Sequence, residues 1–556
     1  MIILFEEYHY KTEDLSKVLT ERYYFPVNGI ESKINFVGYY FNPQINDGKG
    51  DAVIIFPKVF INRINEKELA FDEFEPETLI NPTLGIINRL KETGKDKLIF
   101  EISTWLYRAI QQFNKRHFYN SITENQFINQ IVTNLDENSS TELDIILSLL
   151  RFHKENQDLF TFIAKTAHSQ QNKINWHKTI NKKQPIIQNN TPIYVDLATT
   201  RKRVNDDEEL LILFYSTLNF IKEKYSFNFI PPQNYELIKG HKFESVLRKG
   251  CRLLKSIKYK YYSDKMISLY KLLYAYFERS EQTQSKKQME EILLIKDFNI
   301  VFEDMIDDLI GDTTLLPELK SHADGKQIDH IYKYKSLLIE DEIYFVGDSK
   351  YYKPQNNVGK NSKAKQFTYA KNVIQYNIDL FNNENLDQRI RYRENETEGY
   401  NITPNFFISA FVNQDFDFSK SYLNETGKPI MQYHFENRLF DRDTLFVQSY
   451  NINFLFVLSA YLSRNSTLKN NFKKDTQKTF REKLVAFINE KYKFYKVKPI
   501  EDNFINQHFK LLNGKVYKPS QLENELILAF EKDSDIDEVI SKFETELEEK
   551  TDYILT

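Results

Sequence analysis

The first part of the chain shows the spacing of apolar residues that is typical of β-strands. In residues 34–42 apolar and other residues alternate with a period of two, and residues 51–61 form an apolar run of strand length. The polar segment 42–51 between them contains Asn, Asp and Gly residues, which favour turns. The pattern therefore predicts a β-rich N-terminal domain over residues 1–90.

The pattern becomes helical after residue 90. Residues 98–117 are amphipathic, and residues 206–283 again show helical spacing, up to a polar, lysine-rich stretch near residue 285. Residues 171–204 between these segments are polar and irregular. We therefore predict a mostly helical region over residues 91–285.

The remaining chain divides into two parts. Residues 286–463 follow the order helix, two strands, helix, strand, which predicts an α/β core. Residues 464–556 are lysine-rich at 464–498 and acidic at 531–550, which indicates a helical C-terminal extension that is exposed or binds a partner. The predicted fold class is α+β with several domains.

The charge balance limits how the chain could bind nucleic acid. It has 75 Lys and Arg residues against 79 Asp and Glu, a net charge of −4, so contact with DNA must come from local patches. Residues 239–262 form such a patch, in which basic residues are interleaved with tyrosines. This stretch is either a grip on DNA phosphates or an ordinary solvated helix face.

Cysteine content and hydropathy indicate the cellular setting. Cys251 is the single cysteine, which excludes an intramolecular disulfide framework and a multi-cysteine zinc site and favours a reducing compartment. No stretch approaches the ~20 apolar residues of a membrane span, and the N-terminus lacks the features of a signal peptide. We therefore expect a soluble, cytoplasmic protein without membrane contact.

The candidate chemistry lies in residues 327–353. Two β-type runs there flank a polar turn near residue 340, which predicts a hairpin. Asp348 and Lys350 are two residues apart and so share one face of the second strand, while the hairpin brings Asp329 back beside them. Two carboxylates and a lysine could bind Mg²⁺, with Mn²⁺ as a substitute, and activate water for phosphodiester hydrolysis. Asp329 and Asp348 would be metal ligands, and Lys350 would orient the attacking water.

Two helices flank the predicted hairpin. The upstream helix carries Glu303, whose apolar neighbours on the same face could turn it inward to join the acidic cluster as a further metal ligand. The downstream helix carries Gln366 and Tyr369, which share a face and are possible accessory residues. Glu303 could equally belong to a solvated acidic face, and Tyr369 could serve packing.

This ordered set resembles the PD-(D/E)XK nuclease superfamily. The superfamily pattern is an acidic residue on a helix, an Asp on one strand, Asp or Glu-x-Lys on the next, and a helix often carrying Gln-x-x-x-Tyr. Here Ile328 stands before Asp329 in place of proline, and Tyr369 follows Gln366 by three residues instead of four. The resemblance implies a PD-(D/E)XK core over residues 286–463.

A narrower resemblance covers most of the chain. The segments VGYY, DAVIIFPKVFI, KINWHKTI and NRLFDRDTLFVQSYNINFLFVL, together with the acidic hairpin, are similar to LlaJI-type restriction endonucleases, relatives of McrC nuclease subunits. The resemblance implies a magnesium-dependent endonuclease of a prokaryotic restriction system that acts on double-stranded DNA. It also implies an McrB-like AAA-type GTPase or ATPase partner. We expect this partner to dock on the N-terminal half, with the domain over residues 1–90 as its binding domain.

Other functions stay open at this point. The acidic hairpin could be a ribbon with ordinary surface charges, and the chain a non-catalytic adaptor that regulates an AAA-type motor. A repair or RNA-processing nuclease of the same fold is a second alternative. The sequence contains no GxxxxGK[ST] loop, so the chain is not expected to be a P-loop NTPase itself.

Overall fold

A computed structural model describes most of the 556 residues. The described ranges are 1–45, 50–119, 131–133, 141–157, 163–167, 173–203, 209–225, 227, 229–232, 235–284, 290–312, 317–320, 327–338, 341–351, 359–382, 392–394, 397–432, 435–519 and 524–556. Several sheets are combined with helices along the whole chain, so the fold is mixed α+β, as predicted.

Short strands dominate the start of the chain, and long helices follow. The strands up to residue 203 are β1 (Ile2–Phe5), β2 (His9–Lys11), β3 (Phe25–Pro26), β4 (Glu31–Lys33), β5 (Phe36–Asn42), β6 (Asp51–Phe56), β7 (Ile61–Ile64), β8 (Lys67–Ala70), β9 (Ile131–Thr133), β10 (Ile163–Ala167), β11 (Lys173–Ile174), β12 (Ile186–Gln188), β13 (Thr191–Ile193) and β14 (Thr199–Arg203). The helices up to residue 284 are α1 (Thr12–Ser16), α2 (Leu84–Glu92), α3 (Lys95–Tyr119), α4 (Glu142–Glu155), α5 (Trp176–Lys182), α6 (Glu209–Tyr225), α7 (His241–Ile257) and α8 (Asp264–Gln284).

Strands and helices are mixed in the second half. Its strands are β15 (Glu291–Lys296), β16 (His330–Lys335), β17 (Glu342–Lys350), β18 (Thr403–Phe411), β19 (Asn424–Glu425), β20 (Ile430–Gln432), β21 (Leu445–Asn453), β22 (Tyr492–Pro499), β23 (Val516–Tyr517), β24 (Leu526–Glu531) and β25 (Leu547–Tyr553). Its helices are α9 (Asn299–Ile310), α10 (Pro317–Lys320), α11 (Lys360–Asn382), α12 (Phe454–Leu462), α13 (Ser466–Lys491), α14 (Phe504–Leu512) and α15 (Ile536–Ser541).

The first large sheet is assembled from distant parts of the chain. Its strand order is β1-β6-β5-β15-β9, with β1 and β6 parallel. Both faces are covered, because Tyr39 of β5 belongs to the main hydrophobic core and Tyr40 belongs to a smaller core on the other side. Strand β15 pairs antiparallel with β5, so the N-terminal strands are completed by a strand from the beginning of the predicted nuclease region.

The second large sheet contains the predicted hairpin. Its order is β16-β17-β18-β21-β19, and β20 also pairs with β21. Strands β16 and β17 are antiparallel, while β17, β18 and β21 run parallel. Helix α11 connects β17 with β18 and packs against both strands, and α9 packs against β16 and β17. The C-terminal end of β17 therefore lies where parallel sheets commonly bind ligands.

The C-terminal part differs from the predicted helical extension over residues 464–556. Helix α13 agrees with the prediction, but beyond it a four-stranded sheet forms in the order β23-β24-β22-β25. The lysines of β22 predict a charged helix, whereas the structure has a strand that is buried on both faces: Tyr492 and Phe494 belong to the main core, and Tyr495 and Val497 belong to a separate C-terminal core. The region is also packed against the remaining chain, because Arg481 of α13 donates hydrogen bonds to the Ser336 carbonyl at 2.9 and 2.7 Å.

The two large sheets are joined through buried contacts. The ring of Phe454 in α12 lies 5.7 Å from that of Phe60 and 6.1 Å from that of Phe302. Next to these rings, the hydroxyl of Tyr351 donates a 2.7 Å hydrogen bond to the carboxylate of Glu6. The N-terminal strands therefore contact the end of β17 directly. Among the described helices, none is long and apolar enough to cross a membrane.

Candidate functional site

Asp348 and Lys350 occupy the C-terminal end of β17, on the same face of the strand. Their exposed fractions are only 5% and 9%, although both carry charge. The ammonium of Lys350 forms an ion pair with Oδ2 of Asp348 and lies 5.3 Å from the centre of the Phe407 ring on β18. The strand end thus holds a buried cation directly beside a buried carboxylate.

Asp329 reaches this strand end through the pairing of the hairpin. It immediately precedes β16, in which His330 pairs with Gly347. The backbone N–H of Ser349 donates a hydrogen bond of 3.1 Å to Oδ2 of Asp329. Burial, followed by the negative charges of Glu303 and Asp348 and a hydrogen bond with Asp348, raises the pKa of Asp329 well above its ordinary value.

Helix α9 supplies the third carboxylate, Glu303. The side-chain amide of Asn299 donates a 3.2 Å hydrogen bond to Oε1 of Glu303. Burial raises the pKa of Glu303 and the charge of Asp348 adds to the increase, whereas the Asn299 hydrogen bond and the positive charge of Lys350 oppose it. Glu303, Asp329, Asp348 and Lys350 are therefore brought together, as the sequence predicts.

The other acidic residues of α9 are held by basic side chains, and Glu303 is not. In the part of the chain that the structure describes, neither Glu303 nor Asp329 forms an ion pair with Lys, Arg or His. The three neutralised residues of the helix are Asp304, with Arg116 at 3.5 Å and His117 at 3.2 Å; Asp307, with Lys320 at 2.7 Å and His330 at 3.5 Å; and Asp308, with Arg116 at 2.9 Å and Lys469 at 2.7 Å.

A buried polar chain supports the site from behind. His330 is fully buried, its Nε2 lies 2.6 Å from the Ser349 hydroxyl, and its Nδ1 lies 3.5 Å from Asp307. Ser349 stands between Asp348 and Lys350, so the chain fixes the strand that carries both. Gly347, opposite His330, has no room for a side chain, because a Cβ there would lie 2.1 Å from the Phe406 ring. His330 is therefore structural, in agreement with its position on the other face of the strand.

The two residues predicted on the downstream helix α11 are buried and do not line an open site. Gln366 is fully buried and donates hydrogen bonds to the Val346 carbonyl at 2.9 Å and to Oδ1 of Asn405 at 3.2 Å. It thereby holds the helix on the sheet. Tyr369 is also buried, with an exposed fraction of 1%. Any accessory catalytic role of these two residues stays a prediction.

The residue that sequence reasoning missed on α11 is Lys365. Its ammonium lies 5.3 Å from the centre of the Tyr369 ring. The interaction with the Tyr369 hydroxyl raises the pKa of Lys365, and the negative charges of Asp348 and Asp329 contribute. Lys365 lies four residues before Tyr369, and residues at that spacing are neighbours on a helix surface. That spacing could have identified it in the sequence.

The donor chemistry fits a hard divalent cation. Glu303, Asp329 and Asp348 offer carboxylate oxygens, which Mg²⁺ prefers. A cation would relieve the mutual repulsion that adds to the effect of burial in raising the pKa values of Glu303 and Asp329. The described residues contain no group of three His, Cys, Asp or Glu side chains already arranged as metal ligands. A cation would therefore have to replace the Lys350 contact of Asp348 and the hydrogen bond between the two aspartates.

Comparison with known proteins gives a family. A family model described as LlaJI restriction endonuclease matches residues 91–421, which include Glu303, the hairpin and α11. None of the curated proteins matches the chain. Among solved structures, the chain is similar to one from the "refined half-complex from tetradecameric assembly of Thermococcus gammatolerans McrB AAA+ hexamers with bound McrC", with 10% identity and a TM-score of 0.27. That similarity covers 86% of this chain and 99% of the other. Because the family model spans more than half of the sequence, this chain belongs to the LlaJI restriction endonuclease family.

Proposed function

We propose that this chain is the DNA-cleaving subunit of a prokaryotic restriction system and hydrolyses phosphodiester bonds in double-stranded DNA with Mg²⁺, or Mn²⁺ in its place. One observation carries the proposal: Glu303, Asp329, Asp348 and Lys350, from three separate segments, meet at the end of β17. Membership of a restriction endonuclease family supports the same conclusion. The order helix, Asp, Asp-x-Lys, helix supports the PD-(D/E)XK type.

The chain's own residues would divide the work as follows. Glu303, Asp329 and Asp348 would hold the cation through carboxylate oxygens, and the backbone N–H of Ser349 keeps Asp329 in place. When bound, the cation would polarise the scissile phosphate and activate water. Lys350 would leave its contact with Asp348, orient the attacking water and balance charge on the phosphate. Burial strengthens each of these electrostatic interactions, because the local dielectric constant is lower than that of water.

We further propose an McrB-like AAA-type GTPase or ATPase as the partner, docked on the N-terminal half. The LlaJI-type resemblance and the lack of a phosphate-binding loop in this sequence support a separate nucleotide-hydrolysing subunit. Residues 176–195 in this half also fit contact with a protein partner, because helix α5, the β12–β13 hairpin and the segment after it each expose large apolar side chains. These are Trp176, Ile180, Ile186, Ile187, Ile193 and Val195, with exposed fractions of 55, 58, 61, 72, 43 and 70%.

The test is a cleavage assay with reconstituted components. The chain would be purified alone and with the AAA-type protein encoded beside it, and incubated with nucleotide, Mg²⁺ and one of three substrates: methylated phage DNA, unmethylated phage DNA or RNA. We expect cleavage that requires the partner, stops on addition of EDTA and is absent with Asp348→Asn. No cleavage under any combination, with preserved stimulation of the partner's nucleotide hydrolysis, would identify the chain as an adaptor. Cleavage of RNA alone would identify an RNA-processing nuclease.

The partner contact needs a point variant in place of a deletion. Residues 1–90 share a sheet with β15 and contact Tyr351, so their removal would expose the core. Ile186→Ser with Ile187→Ser changes only exposed side chains. This double variant should lose complex formation, whereas Asp348→Asn should keep it. Complex formation by the double variant at wild-type strength would contradict docking at the β12–β13 hairpin.

A further inference from the structure

Helix α7 separates its apolar and basic residues onto two faces. The buried positions are Phe243, Val246, Leu247, Gly250, Cys251, Leu254 and Ile257. The apolar face packs closely on α8, because a Cβ on Gly250 would lie 2.2 Å from the Phe277 ring. The opposite face, together with the turn that follows the helix, exposes Lys242, Arg248, Lys249, Arg252, Lys255 and Lys258, which we call the α7 basic face. Its side chains point to solvent because the apolar face is fixed.

Most cations of the α7 basic face have no acidic partner. Residues 239–262 contain eight Lys and Arg residues but one acidic residue, Glu244, which lies 3.3 Å from His241. Within the described part of the chain, no ion pair involves Lys242, Arg248, Lys249, Arg252 or Lys258. A chain with a net charge of −4 therefore concentrates unneutralised positive charge on one helix.

The dimensions of the α7 basic face suit a nucleic-acid backbone. From Lys242 to Lys255 the helix rises by about 20 Å at 1.5 Å per residue. This length matches about six phosphates of one DNA strand. At its C-terminal end Tyr259 and Tyr262 have exposed fractions of 71% and 86%, so both can donate hydrogen bonds to phosphate or sugar oxygens.

We propose that the α7 basic face binds the sugar–phosphate backbone of DNA without reading its sequence. This inference rests on the proposed function in one respect, that DNA is the substrate. The α7 basic face shares no element with the cluster at the end of β17, so it would hold DNA while the acidic cluster cuts it. Backbone contact supplies affinity through release of counterions, which an acidic chain could not obtain from its overall charge.

The experiment measures DNA binding in the absence of cleavage. Full-length Asp348→Asn protein in EDTA would be titrated into a fluorescent 30-base-pair duplex of arbitrary sequence, and anisotropy recorded at several salt concentrations. Arg248→Glu, Lys249→Glu and Arg252→Glu in that background should weaken binding about tenfold or more and lower the salt slope by about one per lost phosphate contact. The corresponding Gln variants should give an intermediate loss, which confirms the effect with a smaller change of charge.

The matched control reverses the charge of three exposed lysines on another helix. Lys474→Glu, Lys478→Glu and Lys483→Glu on α13 change the net charge equally and should leave binding within about twofold of the parent protein. Equal losses in both triple variants would show that net charge alone governs binding and would overturn the proposal. Absence of salt-dependent binding by the parent protein would overturn it too. If the α7 triple variant binds DNA like the parent protein but no longer binds the AAA-type partner, the α7 basic face is a protein-binding surface and the proposal is overturned.

Failure of the proposed function has a separate signature. If the wild-type chain never cleaves DNA with its partner but its DNA binding still depends on Arg248, Lys249 and Arg252, the nuclease assignment fails and the α7 basic face stands. If cleavage occurs and these residues do not affect binding, the nuclease assignment stands and the proposal for the α7 basic face fails. Circular dichroism and the melting temperature of each variant establish that the exposed substitutions leave the fold intact.

Discussion

Two adjacent residues of α9, Glu303 and Asp304, illustrate two uses of a carboxylate in one fold. Asp304 accepts a 2.6 Å hydrogen bond from the Tyr461 hydroxyl and faces Arg116 and His117, so its charge is compensated. Glu303 faces Asp348 and Asp329, and burial among them raises its pKa. Asp304 therefore stabilises the fold, whereas Glu303 is held at a cost to stability. A buried carboxylate with a raised pKa and no ion pair among the described residues is typical of functional sites.

The largest expected effect is on DNA cleavage and distinguishes the carboxylates at the end of β17 from the carboxylates that are paired with basic side chains. Asp348→Asn should lower the DNA cleavage rate on the order of 1000-fold, because a ligand of the proposed cation and the ion-pair partner of Lys350 are both lost. Asp308→Asn, which removes a carboxylate paired with Arg116 and Lys469, is the control and should cleave near the wild-type rate. Equal activity losses in both variants would show that Asp348 and Asp308 do not differ in function.

The second expected effect is on stability, and here the paired carboxylate should matter more than the carboxylate of the candidate site. Asp304→Ala should lower the free energy of unfolding by about 2 kcal/mol, because Tyr461, Arg116 and His117 lose a shared acceptor. Glu303→Gln should cause no such loss, since it removes a charge from among other carboxylates. Urea midpoints of the two variants measure the difference. A larger destabilisation by Glu303→Gln would mean that Glu303 supports the fold instead of a site.

The third prediction concerns Lys365, which we expect to contribute to the candidate site at the end of β17. Lys365→Gln should lower the cleavage rate about tenfold, a smaller effect than that of Asp348→Asn because the ammonium is exposed to solvent. Lys371→Gln on the same helix removes only an ion pair with Asp443 at 3.0 Å and should have little effect. Wild-type kinetics in Lys365→Gln would restrict the site to Glu303, Asp329, Asp348 and Lys350.

The smallest effect is a pH dependence of stability. The pKa values of Asp329 and Glu303 are raised, so the folded metal-free chain binds their protons more tightly than the unfolded chain does. Stability from these two groups is therefore present at acidic pH and is lost as pH rises through the folded pKa values. Asp329→Asn should raise the melting temperature at neutral pH by about 2 °C, and this gain should vanish below the ordinary carboxyl pKa. A gain independent of pH would exclude charge as its cause.

Local pattern was sufficient to predict the centre of the site. The period of two places Asp348 and Lys350 on one face, and the hairpin places Asp329 beside Ser349, because both relations join residues no more than 20 positions apart. Glu303 could be proposed but not distinguished from Asp304, Asp307 and Asp308. That distinction depends on basic partners from elsewhere, among them Arg116 and Lys469, whose positions only the tertiary structure gives.

Longer-range features were outside the reach of local pattern. The pairing of β15 with β5 joins residues about 250 positions apart, and no spacing rule links them. In the C-terminal part, the lysine-rich pattern of residues 464–498 predicts helix, whereas β22 is a strand because both of its faces are buried against distant segments. The prediction of Gln366 rests on its residue type, whereas Lys365 is the residue that has the four-residue spacing to Tyr369.

Binding of Mn²⁺ to the isolated chain tests the central claim most directly. Titration calorimetry at neutral pH would compare wild type with Asp329→Asn and with Asp308→Asn, which removes an equal charge from a carboxylate that is paired with Arg116 and Lys469. We expect Asp308→Asn to bind like wild type and Asp329→Asn to bind at least about tenfold more weakly, because it removes one of the proposed ligands. Equal binding by all three proteins, or no binding by wild type, would contradict the assignment of the end of β17 as a metal-dependent nuclease centre.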